Sequence, residues 1–300
     1  MKNLCIFCIL LLPILIFPSC ENDDVTPNPT LRLPFENLDE LSARHYIEAD
    51  TFSVDAMMDE TINTSTGAKI IITAGSFEKS NETVDGIVSI VTKELLKKSD
   101  MILLDKPSTS GNSILEYGGV LDFSAYKDDE SVDLKSSISV TLPVNDQISG
   151  LGSMAHYNHS NNWTMVNNSP VTVDPGELTL QFDSEEHGWM CGGKDTNFSE
   201  YTSVESSLYG YGTILTDIAG YVVLSDYNTV IKMNSDVNGV KVSKSGIPKG
   251  VEASIVIIAM DHFKVVVGIE TLTITDNLSI EIKMNEVAEE DLSDYLQLLD

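Results

Sequence analysis

Between Ser137 and Leu142 the chain alternates polar and apolar side chains, with Ile138, Val140 and Leu142 on one side and Ser137, Ser139 and Thr141 on the other. A period of two sends successive side chains to opposite faces of an extended strand, so this segment has one dry face and one wet one, and Pro143 ends it. The pattern recurs at Leu178, Leu180 and Phe182, and again at Ile280, Ile282 and Met284. Two other runs, Ile87 to Thr92 and Glu252 to Met260, carry apolar residues on both faces, which suits strands covered on both sides. Between them stand the breaks of a strand-and-turn chain: Gly67, Gly75 and the pair Gly118-Gly119, which reads as the opening of a strand, VLDFSAY. Further strands are expected at Thr202–Leu208, Tyr221–Leu224, Thr229–Met233 and Phe263–Ile269. The expected fold is all-β: two antiparallel β-sandwich modules, residues 46–145 and 146–300, with a short C-terminal helix capped by Asn285. In that helix Val287, Leu292, Tyr295, Leu296 and Leu299 form the apolar stripe. The strands ending at Ile274 and beginning at Ser279 are expected to join by an odd-length loop pairing Ile274 with Ile280, or else to lie in different sheets.

The formal charge of −28 over 300 residues repels phosphate backbones, so nucleic acid is excluded as a partner class. The same charge repels anionic membrane surfaces, so any membrane attachment has to be covalent. The four cysteines are Cys5, Cys8, Cys20 and Cys191. The first two lie in an N-terminal leader, where Lys2 precedes an apolar run from Leu4 to Phe17, too short to span a bilayer.

The leader ends in Phe17-Pro18-Ser19-Cys20, followed by Glu21-Asn22-Asp23-Asp24. This resembles a bacterial lipobox, with Phe17 in the place of the usual leucine and Pro18 departing from the pattern. The acidic patch resembles the signal that sends lipoproteins of Bacteroidota-type bacteria to the outer face of the outer membrane. The resemblance implies a signal peptide over 1–19, acylation of Cys20, and an acylated tether and linker over 20–45 that includes Pro27 and Pro29. The partner it implies is the membrane itself, entered by the acyl chains on Cys20. Acylation would leave Cys191 without a disulfide partner.

The stretch from Thr66 to Tyr126 carries a second resemblance: Ala74-Gly75-Ser76-Phe77, Lys93-Glu94, Met101, Thr109-Ser110 and Leu115-Glu116-Tyr117-Gly118-Gly119. It looks like a module frequent in those surface lipoproteins and is distantly similar to the β module of zonula-occludens proteins and netrin receptors. Some relatives of that module cut themselves at a His-Phe-Ser site. Here His262-Phe263-Lys264 lacks the serine and lies outside the module, so self-cleavage is not carried over. Gly188-Trp189-Met190-Cys191 resembles part of a signature that follows the module in the same lipoproteins, with Cys191 where asparagine is usual.

Chemistry-bearing residues are few. His156 and His159 have a spacing that suits one face of a metal-binding helix, yet they sit in the loop-like stretch HYNHSNNW without a third ligand nearby. Cys191 stands among small and apolar residues, as a core thiol does. Asp128-Asp129 and Glu185-Glu186 are adjacent acids of the kind that arise by chance in a chain with 46 carboxylates. The Asn-x-Ser/Thr sites at Asn81 and Asn162 matter only in a eukaryotic secretory route. No phosphate-binding loop, calcium loop, nucleophile elbow or zincin motif occurs. No catalytic residue, cofactor or metal is expected. The expected function is a non-catalytic surface lipoprotein, an interaction or structural module with a protein or glycan partner. The alternatives are an adhesin or fimbrial subunit, or a glycan-binding protein using Trp163, Tyr209 and Tyr211.

Overall fold

The computed structural model describes residues 37–45, 47–144, 148, 154–160, 162–212, 215–236 and 240–300. Helix α1 (Leu38–Arg44) leads into β1 (Asp50–Asp55), β2 (Glu60–Asn63), β3 (Lys69–Ile72), β4 (Phe77–Lys79), β5 (Glu82–Thr83) and β6 (Ile87–Leu95). Helix α2 (Lys98–Leu103) precedes β7 (Thr109–Ser110), β8 (Ser113–Lys127), β9 (Glu130–Ser131), β10 (Asp133–Leu134) and β11 (Ile138–Pro143). Next come β12 (Ala155–His159), β13 (Trp163–Pro170), β14 (Thr172–Asp174), β15 (Thr179–Ser184) and β16 (Gly188–Asp195). The remaining strands are β17 (Tyr201–Tyr209), β18 (Thr216–Leu224), β19 (Thr229–Ser235), β20 (Lys241–Pro248), β21 (Glu252–Asp261), β22 (Lys264–Thr273), β23 (Leu278–Lys283) and β24 (Asn285–Val287). Helix α3 (Glu289–Leu296) and a final 3-10 turn close the chain.

The first lobe is a sandwich. One sheet runs β1-β6-β8-β16-β12-β13 and the facing sheet runs β14-β15-β11-β3-β2. Alternation explains the core between them: Ile70, Ile72, Val140, Leu142, Leu180 and Phe182 point inward from one side, Val88, Ile90, Leu121, Phe123 and Met190 from the other. The sheets come close because glycines face Leu180. A methyl on Gly192 would stand 2.5 Å from Leu180 Cδ1, and one on Gly118 2.4 Å from Leu180 Cδ2. Gly118-Gly119 therefore does not open a strand. It lies inside β8, where the register against β16 shifts between Gly192 and Gly193.

In the second lobe one eight-stranded sheet, β23-β17-β20-β19-β18-β21-β22-β24, curls until its two halves face each other in a nearly closed barrel. Val222, Leu224, Ile255 and Ile257 meet Val204, Leu208, Val242 and Ile247 inside it. At the seam, a methyl on Gly268 of β22 would be 2.4 Å from Ile282 of β23. The expected hairpin near Asp276 does not form. β23 instead runs parallel to β17, with Ile280 opposite Ser206, while β22 pairs with β21 and β24. The residues expected to start the last helix form β24, and α3 begins after Ala288, which gives no side-chain cap.

A third core lies between the lobes. From the outer face of the first sheet come Leu95, Leu115, Tyr117, Val120, Trp163 and Cys191; from the outer face of the barrel come Tyr221, Val223, Val256, Ile258, Val265 and Val267. Leu38 and Leu41 of α1 and Leu292, Leu296 and Leu299 near the C-terminus fill the same core. This explains the run over Glu252 to Met260, where β21 puts Ile255 and Ile257 in the barrel and Val256 and Ile258 in the central core. The run from Ile87 to Thr92 is covered on one face only, since Val88 and Ile90 enter the sandwich while Ile87 is exposed and Val91 half-buried. Hydrogen bonds stitch the lobes as well. Tyr117 N–H donates to Asn228 O at 3.2 Å, Val230 N–H to Ser108 Oγ at 3.0 Å, and Thr229 Oγ1 to Leu115 O at 2.9 Å.

The division at 145/146 accordingly falls inside the sandwich. β8 pairs with β16, and β11 with β15, so the first lobe draws strands from both sides of it. The C-terminal part of the expected linker over 20–45 is also structural: α1 buries Leu38 and Leu41.

Candidate functional site

Tyr201, a residue 46% exposed, opens β17. The ring is fixed: Phe198 N–H donates to Tyr201 Oη at 2.9 Å, and the two rings meet edge to face at 6.2 Å. Phe198 is braced in turn by Tyr227, 5.2 Å away edge to face. In front of Tyr201 lies a cleft of about 270 Å³, completed by Asn112, Ser113, Asp195, Asn197 and Gly246. Gly246 is the extra residue of a β-bulge, since Thr202 pairs with Ile247 and Ser203 with Ser245. Its φ of +76° requires glycine, and a methyl there would meet nothing within 4 Å, so the cleft is open at that point. The loop holding Asn197 is anchored by Thr196 N–H donating to Ile114 O at 2.9 Å. Among the described residues, no lysine or arginine lines the cleft.

Two other hollows differ in kind. One of about 410 Å³ at the β13–β15 rim is lined by Asn158, Ser169, Asp183, Glu185 and Glu186. The other, about 90 Å³ against α1, has room for roughly three waters, far below the size of a small-molecule site. In its wall Asp105 accepts from Tyr221 Oη at 3.0 Å and from Lys232 Nζ at 2.5 Å.

Cys20, with the whole segment before residue 37, lies outside the described residues. His156 and His159 sit three apart on strand β12, not on a loop, and so face opposite sides of the sheet. His156 is fully buried and stacks on Phe182 at 4.2 Å. Its Nδ1 lies 2.9 Å from Ser169 Oγ, and Ser169 donates onward to Asp183 O at 2.8 Å, so the imidazole proton sits on Nδ1. Burial pushes the pKa of His156 down to about 4, and that of His159 likewise, with the Lys106 ammonium adding to the effect at His159. Cys191 is fully buried in the central core, which raises its pKa well above the usual thiol value and leaves no reactive thiolate.

Trp163 is 2% exposed, packed edge to face on Tyr117 at 5.2 Å, and so cannot offer a surface ring. Tyr209 is 51% exposed at the far end of β17 from Tyr201. Asp128 and Asp129 form the β8–β9 turn at φ 51° and 65°, the left-handed pair that a tight hairpin requires. Glu186 accepts from Asn158 Nδ2 at 2.7 Å. His262 and Phe263 form the tip of the β21–β22 hairpin. Among the described residues, no three His, Cys, Asp or Glu side chains converge as metal ligands would, and no helix is long and apolar enough to cross a membrane.

No family model matches the chain, and no curated protein matches it. The Tyr201 cleft had no signature in the sequence, because its residues come from three places: the β7–β8 turn, the segment from the end of β16 to the start of β17, and the bulge in β20.

Proposed function

We propose that this chain is a lipoprotein of the outer membrane, held facing the cell surface by acyl chains on Cys20, and that its body is a non-catalytic interaction module. The observation that carries the reading is Cys20 itself, placed after Lys2 and the apolar run from Leu4 to Phe17 and before an acidic patch. Two or three acyl chains hold a protein on a bilayer where one gives only marginal attachment. The segment from Cys20 to the start of α1 at Leu38 reaches at most roughly 60 Å when fully extended, enough for the body to stand clear of the membrane. The non-catalytic reading is supported by where the reactive side chains sit. Cys191 packs in the central core and His156 stacks on Phe182 as a neutral ring. The buried Glu116 pairs with Lys194 at 3.1 Å.

The test is fractionation and labelling in a bacterial host that makes lipoproteins. The full chain should take up a clickable fatty acid, accumulate as a precursor under globomycin, and be trimmed by protease added to intact cells. Cys20→Ala should abolish labelling and release the body from the membrane fraction. Equal labelling and membrane retention of Cys20→Ala would refute the anchor.

A further inference from the structure

We propose that the cleft in front of Tyr201 is a binding site for neutral carbohydrate, taking roughly one or two sugar rings. This deepens the interaction-module reading and rests on it. The chemistry of the lining selects the ligand class. A half-exposed aromatic ring offers a flat, electron-rich face to the polarised C–H groups of a sugar ring. Around it stand the Asn112 and Asn197 amides, the Ser113 hydroxyl and the Asp195 carboxylate. Amides and a hydroxyl both donate and accept, and a carboxylate accepts, which is what an array of sugar hydroxyls needs. The described lining holds no cation, and Asp195 repels like charge, so phosphorylated, sulfated and uronate ligands are disfavoured. The site is also built in advance. Tyr201 is clamped by the Phe198 N–H and braced through Phe198 by Tyr227, so little rotamer freedom is lost on binding. The bulge at Gly246 leaves open space beside the ring, and the glycine there answers to its φ, not to a neighbour. The rim hollow at Glu185 and Glu186 lacks an aromatic face and is more acidic, so it does not compete for this ligand.

The test uses the full chain, purified in a detergent without a sugar headgroup. Its migration is followed in native gels containing amylopectin, laminarin, xylan, β-mannan, dextran or galactan, and binding is confirmed by calorimetry with oligosaccharides of the retarding polymer. Retardation by at least one neutral polymer is expected. Tyr201→Ala should weaken it roughly tenfold or more, whereas Tyr201→Phe, which keeps the ring, should stay within about threefold. Asn197→Ala, at an exposed position, should weaken binding without touching the Tyr201 clamp. Tyr209→Ala should bind as the parent does. Circular dichroism checks that each variant is folded. Failure of every neutral polymer to retard the chain would overturn the proposal. So would binding that Tyr201→Ala and Asn197→Ala leave intact, or binding confined to uronate or sulfated polymers. None of these results touches the anchor, which the Cys20→Ala fractionation decides separately.

Discussion

Asp300 completes a helix that lies 201 residues before it: its Oδ1 accepts from Ser99 N–H at 3.0 Å and its Oδ2 from Ser99 Oγ at 2.7 Å. Lys97, at the cap position of α2, offers no side-chain acceptor of its own. Loss of a helix cap costs about 1 kcal/mol, so Asp300→Ala should lower stability in urea by that order and Asp300→Asn by less. His156 sets an acid limit. Its folded pKa of about 4 lies below its ordinary 6.5, so between those values the unfolded chain binds the extra proton. Stability is then complete above about pH 6.5 and falls as the pH drops towards 4, by about 2 kcal/mol from this one group between pH 7 and 5. His156→Gln should make that limb shallower by this group's share in urea titrations at the two pH values, His159 keeping its own; an unchanged pH dependence would count against the buried neutral ring. At this scale the sequence was informative about Cys191, whose small and apolar neighbours signalled a core thiol. It was misleading about Trp163, since a tryptophan beside two asparagines reads as exposed until the packing of Tyr117 against it is known.

Strand β8 shows how an element escapes a periodicity argument. Before the bulge, Leu115 and Tyr117 face the central core; after it Val120 does, while Leu121 and Phe123 face the sandwich. One extra residue swaps every later side chain to the other face, so a period-two search breaks at Gly118-Gly119 and reports a strand start there. Strands with a constant phase were legible, β11 among them, and β15 except at its start, where Leu178 stands exposed in a turn at φ 51° instead of on the apolar face. The pairing of β23 was not, because parallel contact with β17 depends on how the sheet curls and not on the loop at Asp276. The close approach of the sheets gives a test. Gly192→Ala drives a methyl into Leu180, which is fully buried, and overpacking of this kind costs about 1–3 kcal/mol. Leu180→Ala removes the obstacle, so the double variant should be less destabilised than the sum of the singles. Additivity in that thermodynamic cycle would show that the two do not meet.

At the scale of the molecule, the shared central core and the hydrogen bonds across it make the lobes one cooperative body. Full-chain unfolding should show coincident transitions by circular dichroism and by the fluorescence of Trp163 and Trp189. A chain cut after Asn197 leaves Leu95, Leu115, Tyr117, Val120 and Cys191 without the barrel face that covers them. It should bind a hydrophobic dye, and its Cys191 should react with a thiol reagent that leaves the folded full chain unmodified. All-β architecture was readable from alternation, but the lobe boundary was not, since a sandwich that recruits β12 to β16 after β11 shows no break in composition at residue 145. The central core also takes α1 from one end of the described body and α3 from the other. A chain that forms from its N-terminus onward must hold that centre open until the segment around Leu292 to Leu299 arrives. Closure of the core thereby waits for that segment, and a product that stops short of it is marked, by its own uncovered interior, for aggregation or proteolysis.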